Sequence, residues 1–187
     1  NMDTSNTTMS LLYVACELGD VATVRHLLAQ GASVDKIESN GDTSLLVACT
    51  KGNDEIVSAL LTAGAAVDGV ERSGRAPPFE TPLINAASKG DFFVVKELLE
   101  AGASVNLADG DLTDGDAMTQ LFAACLLPDN LCMDSVMLLS SYGAVMHPDF
   151  HAQFREQPLY SAPELIEWLE LSLHWNTPLH HIEIITI

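Results

Sequence analysis

Basic side chains are scarce in this sequence, and unevenly so. Eight Lys and Arg stand against 26 Asp and Glu, for a formal net charge of −18. Arg155 is the single Lys or Arg among residues 97–187. An anionic field of this size repels nucleic-acid phosphates and anionic lipid, and it favours basic partners. It also keeps a protein soluble, and both readings stand. No run of about 18 apolar residues occurs, so no membrane span is expected. The opening NMDTSNTTMS lacks the basic and apolar stretches of a targeting leader, and none is expected. Glycine-rich phosphate loops, G-x-S-x-G and H-E-x-x-H are missing too. The expectation is a non-enzymatic protein that needs no cofactor.

What the sequence has is an internal repeat. Hydrophobic residues make up 48% of the chain, enough to build a core. SLLYVACELGDVATVRHLLAQGASVD (residues 10–35) aligns with TSLLVACTKGNDEIVSALLTAGAAVD (residues 43–68). Cys16 falls on Cys49, Gly19 on Gly52, Leu28 on Leu61 and Asp35 on Asp68, each at an offset of 33. A fixed period of this length marks a stack of supersecondary units. Each unit reads as two short helices joined by a Gly turn, then an irregular finger. Cys16, Cys49 and Cys125 share the register of Ala87, where cysteine behaves as a small apolar residue. Only Cys132 lies off that register. Reduced thiols are therefore expected, in the cytoplasm or nucleus.

The third copy, TPLINAASKGDFFVVKELLEAGASVN (residues 81–106), is the most regular. Its Thr81-Pro82-Leu83, with the recurrent Gly-Ala before Val-Asp or Val-Asn, resembles the ankyrin repeat. The resemblance implies an all-α, ankyrin-repeat solenoid and a protein-binding module. Four repeats are expected at 10–42, 43–80, 81–118 and 119–146, after a polar tail over 1–9. An insertion follows over 147–176, with a helix over about 162–174 opened by Ser161-Ala162-Pro163-Glu164. The first helix of a truncated fifth repeat closes the sequence over 177–187. Further native chain or a crystal neighbour is expected to cover Ile182–Ile187.

Departures from the period carry the functional expectations. Gly52 to Gly90 spans 38 residues, as does Thr81 to Thr119, so two fingers are each lengthened by five. The first long finger carries Arg72, Arg75 and Phe79. Phe79 reads either as an aromatic anchor or as a ring tucked against its own finger. The second carries Asp109, Asp111, Asp114 and Asp116. Four carboxylates invite a calcium reading, but an EF-hand loop counted from Asp109 needs Gly and Glu where Asp114 and Gln120 stand. An acidic finger that attracts a basic partner, and plain solvated turn chemistry, fit better. His147 and His151 have zinc-like spacing, but Pro148 opposes a helix there. No metal site is expected.

In the family the fingers and first helices form a concave face. By register, its candidates here are Val14, Glu17 and Leu18; Val47, Thr50 and Lys51; Asn85, Ser88 and Lys89; and Ala123, Leu126 and Leu127. The fingers add Lys36, Glu38 and Asp42. The expected function is a scaffold or adaptor that binds a basic or mixed-charge protein, without direct nucleic-acid or membrane contact. The alternative is a regulatory subunit masking a basic surface of an enzyme or nucleic-acid-binding protein. Asn106, in LLEAGASVN, also resembles an asparagine hydroxylated in some family members.

Overall fold

The computed structural model describes residues 9–69, 81–106 and 133–144. Among these residues every regular element is an α-helix: α1 (Leu11–Leu18), α2 (Val21–Ala29), α3 (Ser44–Lys51), α4 (Asp54–Thr62), α5 (Pro82–Lys89), α6 (Phe92–Glu100) and α7 (Met133–Ser141). The tail, the two long fingers, the first helix of the fourth repeat and everything after Ala144 lie outside the described residues.

Local chemistry explains the boundaries. Ser10, Thr43 and Thr81 each sit in extended backbone, and their hydroxyls accept the N–H of Tyr13, Leu46 and Ile84. Each thereby satisfies one of the N–H groups a helix start leaves unpaired. Pro82 follows at the first helical position, where a missing N–H is harmless. The second helices α2 and α6 are capped by Asp20 and Asp91, which accept from Thr23 and Val94. Gly52 ends α3 with φ 72°, and a Cβ there would stand 3.3 Å from Asp91 Oδ2 of the next repeat. The left-handed backbone favours glycine, and any side chain would also press on Asp91.

Helices of eight or nine residues do not persist alone, so packing must hold them. The first helices form one layer in the order α1, α3, α5, and the second helices another in the order α2, α4, α6, α7. The core runs between the layers. Small residues on the first helices (Ala15 and Cys16, Ala48 and Cys49, Ala86 and Ala87) meet larger ones on the second, among them Val24, Ile56, Leu60, Val95 and Leu98. Leu83, Ala86, Val95, Leu98 and Leu99 of the third repeat are all buried.

Two surface expectations are corrected here. Val47 is buried within the core cluster rather than facing solvent, because α3 is flanked by both α1 and α5. Glu38 is buried although it lies in a finger. Both its carboxylate oxygens accept the Ser10 N–H at 3.1 Å, and Lys36 Nζ lies 3.3 Å from Oε2. Burial pushes the Glu38 carboxyl up, but the Ser10 hydrogen bonds and Lys36 outweigh it and hold the group below its ordinary value. Glu38 therefore ties the first finger to the start of α1.

A second joint recurs from repeat to repeat. Asp35 accepts the Ala66 N–H at 2.8 Å. Asp68, in the same register, accepts the N–H of Ser104 at 2.8 Å and its hydroxyl at 2.6 Å. Asn106, in register again, donates its amide to the Gly143 carbonyl at 2.9 Å. The Val-Asp and Val-Asn pairs of the sequence are thus links between neighbouring repeats.

Candidate partner-binding surface

The first-helix layer presents three rows of side chains. Val14, Val47 and Asn85 form the innermost row, Glu17, Thr50 and Ser88 the next, and Leu18, Lys51 and Lys89 the outermost. Exposure rises in that order. Val14 is half-buried and Val47 buried, Asn85 and Ser88 are half-buried, and Glu17, Thr50, Leu18, Lys51 and Lys89 are exposed. Leu18 stands out at 76% exposed, an apolar side chain that the core does not use.

Polar groups of the inner rows are tied to one another. Asn85 Nδ2 donates to Thr50 Oγ1 at 3.0 Å, and Thr50 returns its own proton to the Leu46 carbonyl at 2.8 Å. This chain of bonds joins α5 to α3 and fixes the Asn85 amide. Lys51 and Lys89 sit in the last turns of α3 and α5. Their charge there complements the negative end of each helix, which is a structural use in addition to any binding use.

At the first finger, Tyr13 belongs to the core but its hydroxyl reaches the finger. Asn40 Nδ2 donates to Tyr13 Oη at 2.9 Å and to Asp42 Oδ2 at 2.8 Å, and Tyr13 Oη lies 3.4 Å from Asp42 Oδ2. Burial, with the neighbouring Asp42 and Glu17 charges, raises the Tyr13 pKa against the lowering effect of Asn40. The first finger is therefore held at two points, Glu38 and Asp42. Sequence reasoning placed both residues on the open surface. A signal for Glu38 existed: Ile37-Glu38 repeats as Val70-Glu71 at the 33-residue offset.

Cys16 and Cys49 are free and buried. Burial pushes the Cys16 thiol up to about 11 and raises Cys49 as well, so neither supplies a thiolate near neutral pH. Among the described residues no group of three or more His, Cys, Asp or Glu is placed to hold a metal ion. No helix among them is long and apolar enough to cross a membrane.

Of the residues singled out by the sequence, the structure brings together Glu17, Leu18, Lys51, Asn85 and Lys89 on one layer. Arg72, Arg75, Phe79, Asp109, Asp111, Asp114, Asp116 and Leu126 lie outside the described residues, as do the histidine pairs. Asn106 is exposed, with its amide committed to Gly143.

Comparison with known families agrees with the two-layer architecture. A family model described as ankyrin repeats in three copies matches residues 1–71, and one described as an ankyrin repeat matches residues 80–110. A search of curated proteins finds no match. The two matches and the stacked helix pairs agree: the chain belongs to the ankyrin repeat family, whose domains are in general protein–protein interaction modules and typically non-enzymatic.

Proposed function

We propose that this chain is a scaffold or adaptor that binds a basic or mixed-charge protein through its first-helix layer and lengthened fingers. The observation that carries this reading is the outer rows of that layer. Glu17, Leu18, Lys51 and Lys89 are exposed at register positions that the core does not require. A solvent-facing leucine flanked by charges of both signs suits a partner that offers an apolar contact within a mixed rim. From the sequence alone, the reading also includes Arg72, Arg75 and Phe79, then Asp109, Asp111, Asp114 and Asp116, and Leu126. The free thiols of Cys16 and Cys49 support a reducing compartment, the cytoplasm or nucleus.

The test is a capture experiment on cell lysate at low and raised salt. It compares the native chain, a Leu18→Ser/Lys51→Glu/Lys89→Glu variant, and a variant with the four finger aspartates changed to lysine. The first variant should lose the captured proteins. The second should weaken capture and flatten its salt dependence. An identical set of proteins at identical salt dependence for all three would overturn the reading.

A further inference from the structure

The outer positions of the second-helix layer change character along the stack. On α2 and α4 they carry Ala22, Arg25 and His26, then Glu55, Ser58 and Thr62. On α6 and α7 large apolar side chains appear: Phe93 is 66% exposed, Met137 57% and Tyr142 46%. Register shows that the fold does not ask for them. Phe93 takes the place held by Ala22 in the first repeat and Glu55 in the second. The alignment extends to α7, since Gly143 repeats Gly102 with φ 84° against 92°, and Val136 and Leu139 are as fully buried as Val95 and Leu98. Asp134 then takes the Phe93 position on α7, and Met137 that of Lys96.

Phe93 is also held in place. Phe92 meets it edge-on, with ring centroids 5.7 Å apart at 75°. An aromatic ring already steadied in water loses little freedom on binding, which is what makes such side chains effective anchors.

The surroundings of Phe93 are acidic. By register Glu55 flanks it on α4 and Asp134 on α7, and Glu97 follows one turn along α6. Among the described residues the bases of α2 and α6 are paired: Arg25 lies 3.6 Å from Glu55, and Lys96 3.8 Å from Glu100. Glu97 Oε2 is buried with no hydrogen-bond partner. The residue as a whole is only half-buried, and its charge adds to the acidic field that a cation beside Phe93 would meet.

We propose that the outer face of α6 and α7 is a docking surface for a basic peptide segment, with one large apolar side chain seated on Phe93 and Met137 and its Lys or Arg facing Glu97 and Asp134. A second copy would bring a net charge of −18 against this face, so charge favours a basic partner over self-association. This surface lies on the opposite layer from Leu18, Lys51 and Lys89, so the inference stands or falls apart from the function proposed above.

The experiment titrates the full chain into short labelled peptides and follows fluorescence anisotropy. One peptide places lysine and leucine at helical spacing, one replaces each lysine by glutamate, and one replaces each leucine by serine. The lysine–leucine peptide should bind. Phe93→Ser should weaken it about tenfold, the size of effect expected of an anchor residue. Glu97→Gln should weaken it less, and the Leu18→Ser/Lys51→Glu/Lys89→Glu variant should leave it unchanged. Phe93 and Met137 are exposed, so serine there should spare the fold, with circular dichroism as the check. Failure of the lysine–leucine peptide to bind, equal binding of the glutamate or serine peptide, insensitivity to Phe93→Ser, or loss of binding in the first-helix variant would each overturn the proposal. Self-association through this face, seen as a dimer that Phe93→Ser dissolves, would also overturn it in favour of a second copy.

Discussion

The second helices of the first and third repeats carry the same Leu-Leu pair and treat it differently. Leu27 and Leu28 on α2 are both half-buried, whereas Leu98 and Leu99 on α6 are both buried. On α4 between them, Leu60 is buried and Leu61 half-buried. Among the described helices α2 is flanked in its layer by α4 alone, while α6 lies between α4 and α7. One sequence motif therefore has different energetic value according to its neighbours. This is the behaviour expected of a stack whose stability is shared between units and the interfaces joining them.

The comparison can be broken most directly at the leucines. Leu98→Ala removes a side chain with no exposed surface from between two flanking helices, and should cost about 2–5 kcal/mol. Leu27→Ala removes a half-buried side chain and should cost about 1 kcal/mol. Urea unfolding followed by circular dichroism measures both, and equal losses would mean that α2 is packed as tightly as α6.

The joints between repeats give the next contrast. Asp68 accepts two hydrogen bonds from Ser104, whereas the Asp35 carboxylate accepts the single N–H of Ala66. Asp68→Ala should destabilise by about 1–3 kcal/mol and Asp35→Ala by about 1 kcal/mol, in keeping with the bonds each loses. Amide hydrogen exchange sharpens the assignment: Asp35→Ala should raise exchange at Ala66, and Asp68→Ala at Ser104. Undisturbed exchange at both would show that the joints do not hold.

The smallest effect concerns pH. In one register position α2 carries His26, exposed, and α6 carries Glu97, half-buried against α4. Burial is the main cause that raises the Glu97 pKa above 4.5, with Asp54, Glu100 and Asp91 adding to it and a Ser58 hydrogen bond opposing. A folded-state pKa above the unfolded value means that the native protein holds the proton more tightly. Its contribution is complete below 4.5 and declines as pH rises through the folded value. Glu97→Gln should therefore flatten that decline and leave the variant the more stable form at neutral pH. Thermal unfolding at acidic and neutral pH would show it, and parallel curves for both proteins would discount the trapped carboxyl.

How far the sequence could be read follows from how local each feature is. The 33-residue period exposed the paired helices because Ser10, Thr43 and Thr81 cap them and Gly19, Gly52 and Gly90 end them through contacts within a few residues. Cys16 and Cys49 were legible as core positions from their alignment with Ala87. Glu38 and Val47 were misplaced on the surface, since the bonds from Ser10 and the packing of α1 and α5 around α3 join residues far apart in sequence. Of the candidate surface, the exposure of Leu18, Lys51 and Lys89 followed from register. The bond between Asn85 and Thr50 did not, because it spans two repeats. The setting of Phe93 among carboxylates needs α4 and α7 beside it.

By itself the sequence determined the repeat, the helices and their caps, and with them the family, because hydrogen-bonding caps and left-handed glycines act over one turn of chain. Only the tertiary structure decided how much of each leucine pair is dry, which carboxylates are held as at Glu38 or keep a bare buried oxygen as at Glu97, and which apolar side chains are left in water. Those outcomes depend on what the neighbouring repeat places alongside, and burial is a property of neighbours rather than of the residue.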